Sequence, residues 1–138
     1  FFGILTYVNS EISYSYLMNN SSGCRHEPMA DFNLTKYLQM TKVYSTYAKS
    51  TGSTLCGALK TEIKECGSVQ IHSNGYYQYG GNILYHEFIC NTTVDSMETG
   101  EYWADCKLVK DTNTTMLKQL SDEQKKMQIY TSVIDTDY

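Results

Sequence analysis

The stretch ILYHEFICNTTVDSMETGEYWADCKLV (Ile83–Val109) decides the fold. Both of its ends are rich in β-branched and aromatic residues, and the segment between them is polar, which is typical of two strands joined by a turn. If the ends fold back on each other about Glu98, Cys90 lies directly opposite Cys106. Directly opposed residues of antiparallel strands lie about 4.5–5.5 Å apart at Cα, within the range of a disulfide. The stretch therefore predicts an antiparallel hairpin with a Cys90–Cys106 disulfide.

The rest of the chain repeats this pattern of short, period-two strands separated by turn residues. Asn74-Gly75 is a strong hairpin signal, and Gly80-Gly81 marks a second turn. Besides the two strands above, which cover 83–90 and 101–109, the predicted strands are Lys42–Lys49, Leu55–Lys64, Ser68–Ser73 and Met127–Asp135. Short strands at this spacing are typical of a barrel or a sandwich, so the predicted fold class is all-β.

One segment also fits a helix. MLKQLSDEQKKM (Met116–Met127) carries good helix formers, and Ser121 with Gln124 can form a capping box. We nevertheless predict strand, turn and strand there, because β segments flank it on both sides.

Composition narrows the class of partners. At 138 residues the chain has the length of one domain with a core of its own. The net charge of −4 argues against nucleic acid and acidic membranes as main partners. Its apolar runs are far shorter than the roughly 20 residues of a membrane span. Thirteen tyrosines against one proline favour strands and an aromatic-lined interior.

Cysteines and glycosylation acceptors together indicate the secretory route. The cysteines are Cys24, Cys56, Cys66, Cys90 and Cys106, and the Asn-x-Ser/Thr candidates are Asn19, Asn20, Asn33, Asn91 and Asn113. No CxxC pair occurs, which argues against a zinc site or a redox motif. Pairing Cys90 with Cys106 leaves three cysteines, so either one thiol is free or partners lie beyond residue 138.

The chain opens with the apolar run FFGILTYV, which we interpret as the end of a signal peptide cut ahead of Glu11. A first strand is the alternative, since the same residues favour strands, but no polar alternation runs through them. The predicted division is a signal remnant at 1–10, an N-terminal extension at 11–23 and a barrel at 24–138. Because the chain stops within the strand pattern YTSVIDTDY (Tyr130–Tyr138), we expect the barrel to lack its last strand or strands.

Several segments, in this order along the chain, resemble the triabin and pallidipin group of salivary lipocalins from blood-feeding bugs. They are CRHEPMADFNLTKYLQMTKVYSTYAK (Cys24–Lys49), LCGALKT (Leu55–Thr61), IHSNGYYQYGG (Ile71–Gly81), ADCKLV (Ala104–Val109) and SVIDTDY (Ser132–Tyr138). The Gly-x-Trp of many lipocalins has no counterpart, since Met40 and Lys42 take those places. The resemblance implies an antiparallel up-and-down lipocalin barrel, with further strands and a C-terminal helix. It also implies further cysteines that would pair with Cys24 and Cys56.

The function that the resemblance implies is impairment of host haemostasis by a secreted, monomeric salivary protein. Such a barrel holds one small ligand, here a platelet agonist or vasoactive mediator, either an eicosanoid or a biogenic amine. The candidate lining residues, whose rings and chains also fit ordinary core packing, are Tyr47, Leu59, Ile71, Tyr85 and Trp103. An amine needs a carboxylate, which Glu62 or Glu87 can supply if it does not simply face solvent.

Two further functions remain as alternatives. Some relatives block thrombin or the response to collagen through their outer surface, and the hairpin loop here is acidic. Its carboxylates are Asp95, Glu98, Glu101 and Asp105, although a glycan on Asn91 would obstruct an interface. The less favoured alternative is a haem carrier of nitric oxide with His72 as the iron ligand. One histidine among turn residues is ordinarily an exposed polar group, so we expect no haem and no other cofactor.

An enzyme is the least favoured class. The histidines His26, His72 and His86 are not accompanied by a nucleophile, zinc-protease or phosphate-loop motif. We therefore predict no catalytic residues.

Overall fold

The computed structural model describes residues 3–8, 27–47 and 54–138, and within them the chain is mostly antiparallel β. The described strands are β1 Gly3–Val8, β2 Val43–Tyr47, β3 Thr54–Ile63, β4 Ser68–Tyr79, β5 Asn82–Thr93, β6 Glu101–Asp111 and β7 Lys126–Thr136. The helices of the described ranges are α1 Leu34–Gln39 and α2 Thr114–Gln119. Neither is long and apolar enough to cross a membrane, and the same holds for every helix of the described residues. The all-β class is therefore confirmed.

The strands form a curled meander that closes into a barrel. From β2 to β7 each strand pairs antiparallel with the next one along the chain. Strand β1 fills the remaining gap, antiparallel to β7 and parallel to β2. One parallel pair is unavoidable there, because the first and last strands of a six-strand meander run in opposite directions.

Residues Gly3–Val8 of the opening apolar run form a strand of the barrel, which agrees with the alternative to a signal peptide. Removal as a signal and the division of the chain at residues 10 and 23 stay predictions, and the cut ahead of Glu11 lies outside the described residues. The further strands and C-terminal helix implied by the resemblance also stay predictions.

The long hairpin of β4 and β5 contradicts one predicted turn. Asn74-Gly75 is not a turn, because β4 continues through it and Gly75 pairs with His86 of β5. The chain reverses at Gly80-Gly81 instead, where φ is +56° and +79°, as predicted. Gly75 has a different role: a Cβ there would lie 2.5 Å from the Cys56 carbonyl oxygen, so glycine permits β3 and β4 to approach closely.

The prediction of strand, turn and strand over Met116–Met127 is wrong in its first part. Helix α2 begins after Asn113, whose Oδ1 accepts a hydrogen bond from the Met116 amide at 3.1 Å. The reciprocal Ser121 and Gln124 hydrogen bonds do form, at 2.9 and 3.2 Å, but they stabilise a turn that leads into β7. Local helix propensity decides the structure here because this connection pairs with no strand.

The Cys90–Cys106 disulfide is confirmed. The two residues oppose each other in the register of β5 and β6, and the disulfide joins them inside the barrel, where both are buried. The connection between the strands contains a 3-10 turn, Asp95–Met97, that places the Met97 side chain fully in the core.

One end of the barrel is closed by large side chains. Helix α1, capped by the Asn33 side chain, carries Tyr37 into the core beside Met97 and Tyr102. The Tyr37 and Tyr102 hydroxyls lie 3.2 Å apart and hydrogen-bond to each other. We call Tyr37, Met97 and Tyr102 the sealed end.

Candidate functional site in the barrel interior

Directly opposed residues of neighbouring strands share a face of the sheet, so the register divides the interior into rows. Two rows are mainly apolar. One contains Val43, Leu59, Ser73, Phe88 and Leu108. The next row towards the sealed end contains Thr61, Ile71, Cys90, Cys106 and Met127. These rows continue the core that begins at the sealed end.

A third row, on the side away from the sealed end, has a different composition. It runs through Gly57, Gly75, His86 and Asp111, and we call it the glycine row. Neither of its two glycines has a side chain, and at Gly75 the backbone of β3 takes up that space, since a Cβ there would lie 2.5 Å from the Cys56 carbonyl oxygen. Its large described side chains are His86 and Asp111, which face each other across β5 and β6.

A β-bulge turns Asp111 inward. The buried residues of β6 alternate up to Leu108, and both Val109 and Lys110 are then exposed. The register shifts at this point, since Phe88 opposes Leu108 while Glu87 opposes Lys110. The extra residue reverses the alternation, so Asp111 returns to the interior, as bulges commonly re-aim a side chain.

The Asp111 carboxylate is 4% exposed. Both of its oxygens accept the hydroxyl hydrogen bond of Tyr77, at 2.9 and 2.7 Å, and Oδ1 also accepts the Asn113 amide at 2.6 Å. Within the described residues it has hydrogen-bond donors but no cationic partner. A buried carboxylate of this kind is costly unless another group compensates its charge.

Aromatic rings pack against each other beside this carboxylate. The His86 ring stacks on Tyr77 at 4.9 Å between centroids, and Phe88 meets His86 edge-on at 4.9 Å. Burial lowers the pKa of His86 from its ordinary 6.5, and the negative charge of Asp111 opposes that shift. His86 is therefore mostly neutral at pH 7, so it does not neutralise Asp111.

The five predicted lining residues separate by strand parity. Leu59 and Ile71 face the interior in the two apolar rows. Tyr85 lies on the outer face, where its ring contacts Tyr76 and its hydroxyl donates to Glu87. Trp103 is also on the outer face and is 39% exposed. The backbone of the fifth, at position 47, lies in β2, and its side chain lies outside the described residues.

The two predicted carboxylates, Glu62 and Glu87, lie on the outer face. Hydrogen bonds from Lys60 and Lys64 lower the pKa of Glu62 to about 2. Glu87 accepts from the Tyr85 hydroxyl, which lowers its pKa, and it also pairs with Lys110 at 3.3 Å. Neither carboxylate is placed to meet a ligand inside the barrel.

His72 lies on the outer face of β4, with Nε2 3.1 Å from the Gln70 amide oxygen. Inward-facing residues of this strand are the odd-numbered ones, such as Ile71. The barrel therefore does not direct His72 towards an interior haem.

The remaining predicted sites are on the surface or outside the described residues. Cys56 and Cys66 carry exposed free thiols, and Cys24 lies outside the described residues, so their pairing stays a prediction. Among the acceptor asparagines, Asn33 and Asn91 are exposed, whereas Asn113 is half-buried at the start of α2. Asn19 and Asn20 lie outside the described residues.

Of the predicted acidic residues, Asp95 and Glu98 in the loop and Asp105 on β6 are exposed, and Asp105 accepts a hydrogen bond from Gln128 at 2.8 Å. Glu101, the fourth, is half-buried at the start of β6. The loop therefore offers several carboxylates to solvent beside the sealed end.

Sequence reasoning missed the group of Tyr77, His86 and Asp111. Glycines inside two neighbouring strands, Gly57 and Gly75, signal a close backbone approach and could have marked this level of the barrel. The inward turn of Asp111 had no comparable signal, because it depends on the bulge. Comparison of the chain with protein-family models, with curated proteins and with solved structures found no match.

Proposed function

We propose that the protein is a secreted lipocalin that binds one small mediator of platelet activation or vessel tone and so impairs host haemostasis. The segments that resemble the triabin and pallidipin group support the class of function. The barrel supports the mechanism, since closed barrels of about this strand number can hold one small ligand.

The observation that carries this proposal is the difference between the two levels of the interior. Large residues fill the sealed end. The glycine row instead contains two glycines and the buried carboxylate of Asp111. Small-ligand sites typically combine apolar and aromatic walls with a few polar groups that orient the ligand. Phe88, Tyr77, His86 and Asp111 make such a combination.

Sequestration acts by stoichiometry. A protein that is present above the concentration of the agonist and binds it at ~10 nM lowers the free agonist below its receptor threshold. That affinity corresponds to about −11 kcal/mol. A mostly buried lipid or amine reaches this value in a site of the usual size.

Calorimetric titration of the folded protein tests the proposal. The panel consists of a thromboxane mimic, arachidonate, serotonin and noradrenaline. We expect one-to-one binding of at least one ligand at nanomolar affinity. If protein with a cooperative unfolding transition binds none of them, the sequestration proposal is wrong.

The second candidate is inhibition of a host protein through the outer surface. The exposed carboxylates Asp95, Glu98 and Asp105 favour it, because such a cluster complements a basic exosite. Asn91, exposed and next to the loop, argues against it when glycosylated. A thrombin clotting assay and an assay of collagen-induced platelet aggregation test this candidate. It predicts inhibition in at least one of these assays by protein that binds no member of the ligand panel.

A further inference from the structure

The hairpin of β4 and β5 extends beyond the strands on either side of it. Strand β3 pairs with β4 only as far as Tyr77, and β6 pairs with β5 only as far as His86. Residues 78–84 therefore form a two-stranded ribbon with no described strand beside it, and we call this ribbon the hairpin tip. It lies beyond the glycine row, on the side away from the sealed end. An isolated two-stranded ribbon is only marginally stable in water, so a surface that covers the hairpin tip stabilises it.

Large apolar side chains are exposed on both faces of the hairpin tip. Tyr79 has the parity of the inward-facing residues of β4 and is 69% exposed. Ile83 lies on the outer face and is 66% exposed, and Tyr76, at the base of the tip on the same face, is exposed as well. Exposed apolar residues that cluster in this way commonly mark an interaction site. A flat protein partner would cover one face of the ribbon, whereas insertion into a lipid interface covers both.

The hairpin tip carries no formal charge. No Lys, Arg, Asp or Glu occurs from Cys66 to His86, a stretch that includes the tip and most of the two strands below it. The next charged side chains at its base, Glu87 and Lys110, lie 3.3 Å apart on the outer face and compensate each other. An uncharged tip with a neutralised base complements an electroneutral surface. An acidic surface would repel a chain of net charge −4 and would meet no cation at the tip.

We infer that the hairpin tip docks the protein on an electroneutral lipid surface such as phosphatidylcholine. This inference goes beyond the proposed function, because it does not depend on which ligand the barrel binds. Tyrosine is enriched at membrane interfaces, where its ring lies in the apolar zone and its hydroxyl stays in water. Residues 78–80 span about 10 Å at the rise of a strand, which matches the depth of about 5–10 Å that interfacial elements reach.

The backbone of the hairpin tip suits that depth. Tyr79 and Asn82 oppose each other across the turn, and the Asn82 side-chain amide donates to the Gly80 carbonyl oxygen at 3.4 Å. Hydrogen bonds within the tip keep polar groups partnered when lipid displaces water. A Cβ at Gly80 or Gly81 would have nothing within 4 Å, so the leading edge of the tip is narrow and clear of the rest of the molecule.

Flotation of the protein with phosphatidylcholine vesicles tests the inference. We expect binding that high salt does not weaken, because apolar contacts are not screened, and that added phosphatidylserine does not strengthen. Ile83→Asp should weaken binding at least about tenfold, since a charge resists leaving water. Ile63→Asp is the matched control: it makes the same change in charge at a position that is 57% exposed beside the turn between β3 and β4, on the side of the sealed end. It should leave binding unchanged.

The tryptophan of the chain reports the orientation. Trp103 lies on the outer face of β6, and its carbonyl oxygen accepts from Thr92, which is nine residues along β5 from Ile83. That separation is about 30 Å at the rise of a strand. Vesicles that contain brominated phosphatidylcholine should therefore bind the protein without quenching the fluorescence of Trp103.

Several outcomes would overturn the inference. They are no flotation of folded protein, a preference for phosphatidylserine, equal weakening by the two aspartate variants, and quenching of Trp103. A dimer in lipid-free buffer that Ile83→Asp converts to a monomer would overturn it too, because a second copy then covers the tip. Flotation and quenching use the unmodified protein, so they remain decisive even if a variant does not fold. The calorimetric panel tests the proposed function separately, and neither result depends on the other.

Discussion

The two ends of the barrel interior bury polar groups in different ways. At the sealed end, the Tyr37 and Tyr102 hydroxyls hydrogen-bond to each other among apolar side chains, so two neutral groups satisfy one another. In the glycine row, the donors around Asp111 satisfy its oxygens but leave its charge uncompensated. The first arrangement is complete within the described residues, whereas in the second no described residue supplies a cation for the buried carboxylate.

This difference teaches how one barrel separates stability from binding. Side chains at the sealed end contribute buried area and closed hydrogen bonds, so their loss lowers the free energy of unfolding. Side chains in the glycine row include the ionisable groups His86 and Asp111, so their change should alter the pH dependence of stability. Variants at each end show whether stability and binding can be changed separately.

The largest expected effect on stability is at Met97, which is fully buried at the sealed end. Met97→Ala should lower the free energy of unfolding by about 2–5 kcal/mol, because it removes buried apolar area and leaves a cavity. Urea denaturation followed by fluorescence measures the change. Ile83→Ala, at a position that is 66% exposed, is the control and should change stability by less than about 0.5 kcal/mol. A comparable loss in both variants would contradict the role of the sealed end.

The disulfide is expected to contribute slightly less. Replacing both Cys90 and Cys106 by alanine should cost about 2–4 kcal/mol, since the bond restricts the unfolded chain across a separation of 16 residues. Denaturation without reducing agent measures it. Cys66→Ser, at an exposed free thiol, is the control and should leave stability unchanged. The disulfide lies between the two ends, so a large loss of ligand affinity in the double variant would show that they are coupled.

A smaller effect is expected at the paired hydroxyls of the sealed end. Tyr37→Phe removes a buried hydrogen bond and should cost about 1 kcal/mol, with serotonin affinity unchanged. Burial, together with Tyr102, holds the pKa of Tyr37 well above 10, so the change acts through the neutral hydroxyl. Tyr44→Phe on the exposed surface is the matched control. An equal cost at both tyrosines would mean that the buried pair adds nothing.

The sequence predicts the features of this fold that depend only on residue type and on the spacing of residues along the chain. Cys90 and Cys106 lie at equal distances from Glu98, so an antiparallel hairpin about that residue pairs them whatever the surroundings are. Gly80-Gly81 needs positive φ angles, which glycine adopts without strain, and the turn occurs there.

The parts that the sequence does not predict depend on contacts between distant strands. Gly75 follows an asparagine as a hairpin turn would, but its role is set by the Cys56 carbonyl of another strand. The inward position of Asp111 follows from a bulge opposite Phe88, which no local pattern announces. For the same reason the candidate carboxylates chosen from sequence, Glu62 and Glu87, proved to lie on the outer face, whereas the buried one was overlooked.

The smallest expected effect is the pH dependence that His86 adds to stability. Its pKa in the folded protein lies below the ordinary 6.5 because burial disfavours the charged ring. The groups that face it are Tyr77 from β4, Asp111 from β6 and Phe88 on its own strand, and only Asp111 is charged. Between pH 6.5 and the lower pKa of the folded protein, His86 binds the proton more readily in the unfolded chain than in the folded protein. Stability from this residue is therefore full above pH 6.5 and is lost as the pH falls through that window.

The measurement is the free energy of unfolding at pH 7.5 and pH 5 for the unmodified protein and for His86→Phe, which keeps a ring against Tyr77. Carboxylates that titrate in both proteins cancel in the comparison, so the difference isolates His86. We expect the unmodified protein to lose up to about 1 kcal/mol more than the variant. An NMR titration of the His86 ring should give a midpoint below 6.5, and a midpoint above it would mean that Asp111 outweighs burial. In that case His86 would itself supply the cation for Asp111 near neutral pH, and the two ends of the barrel would both be complete within the described residues.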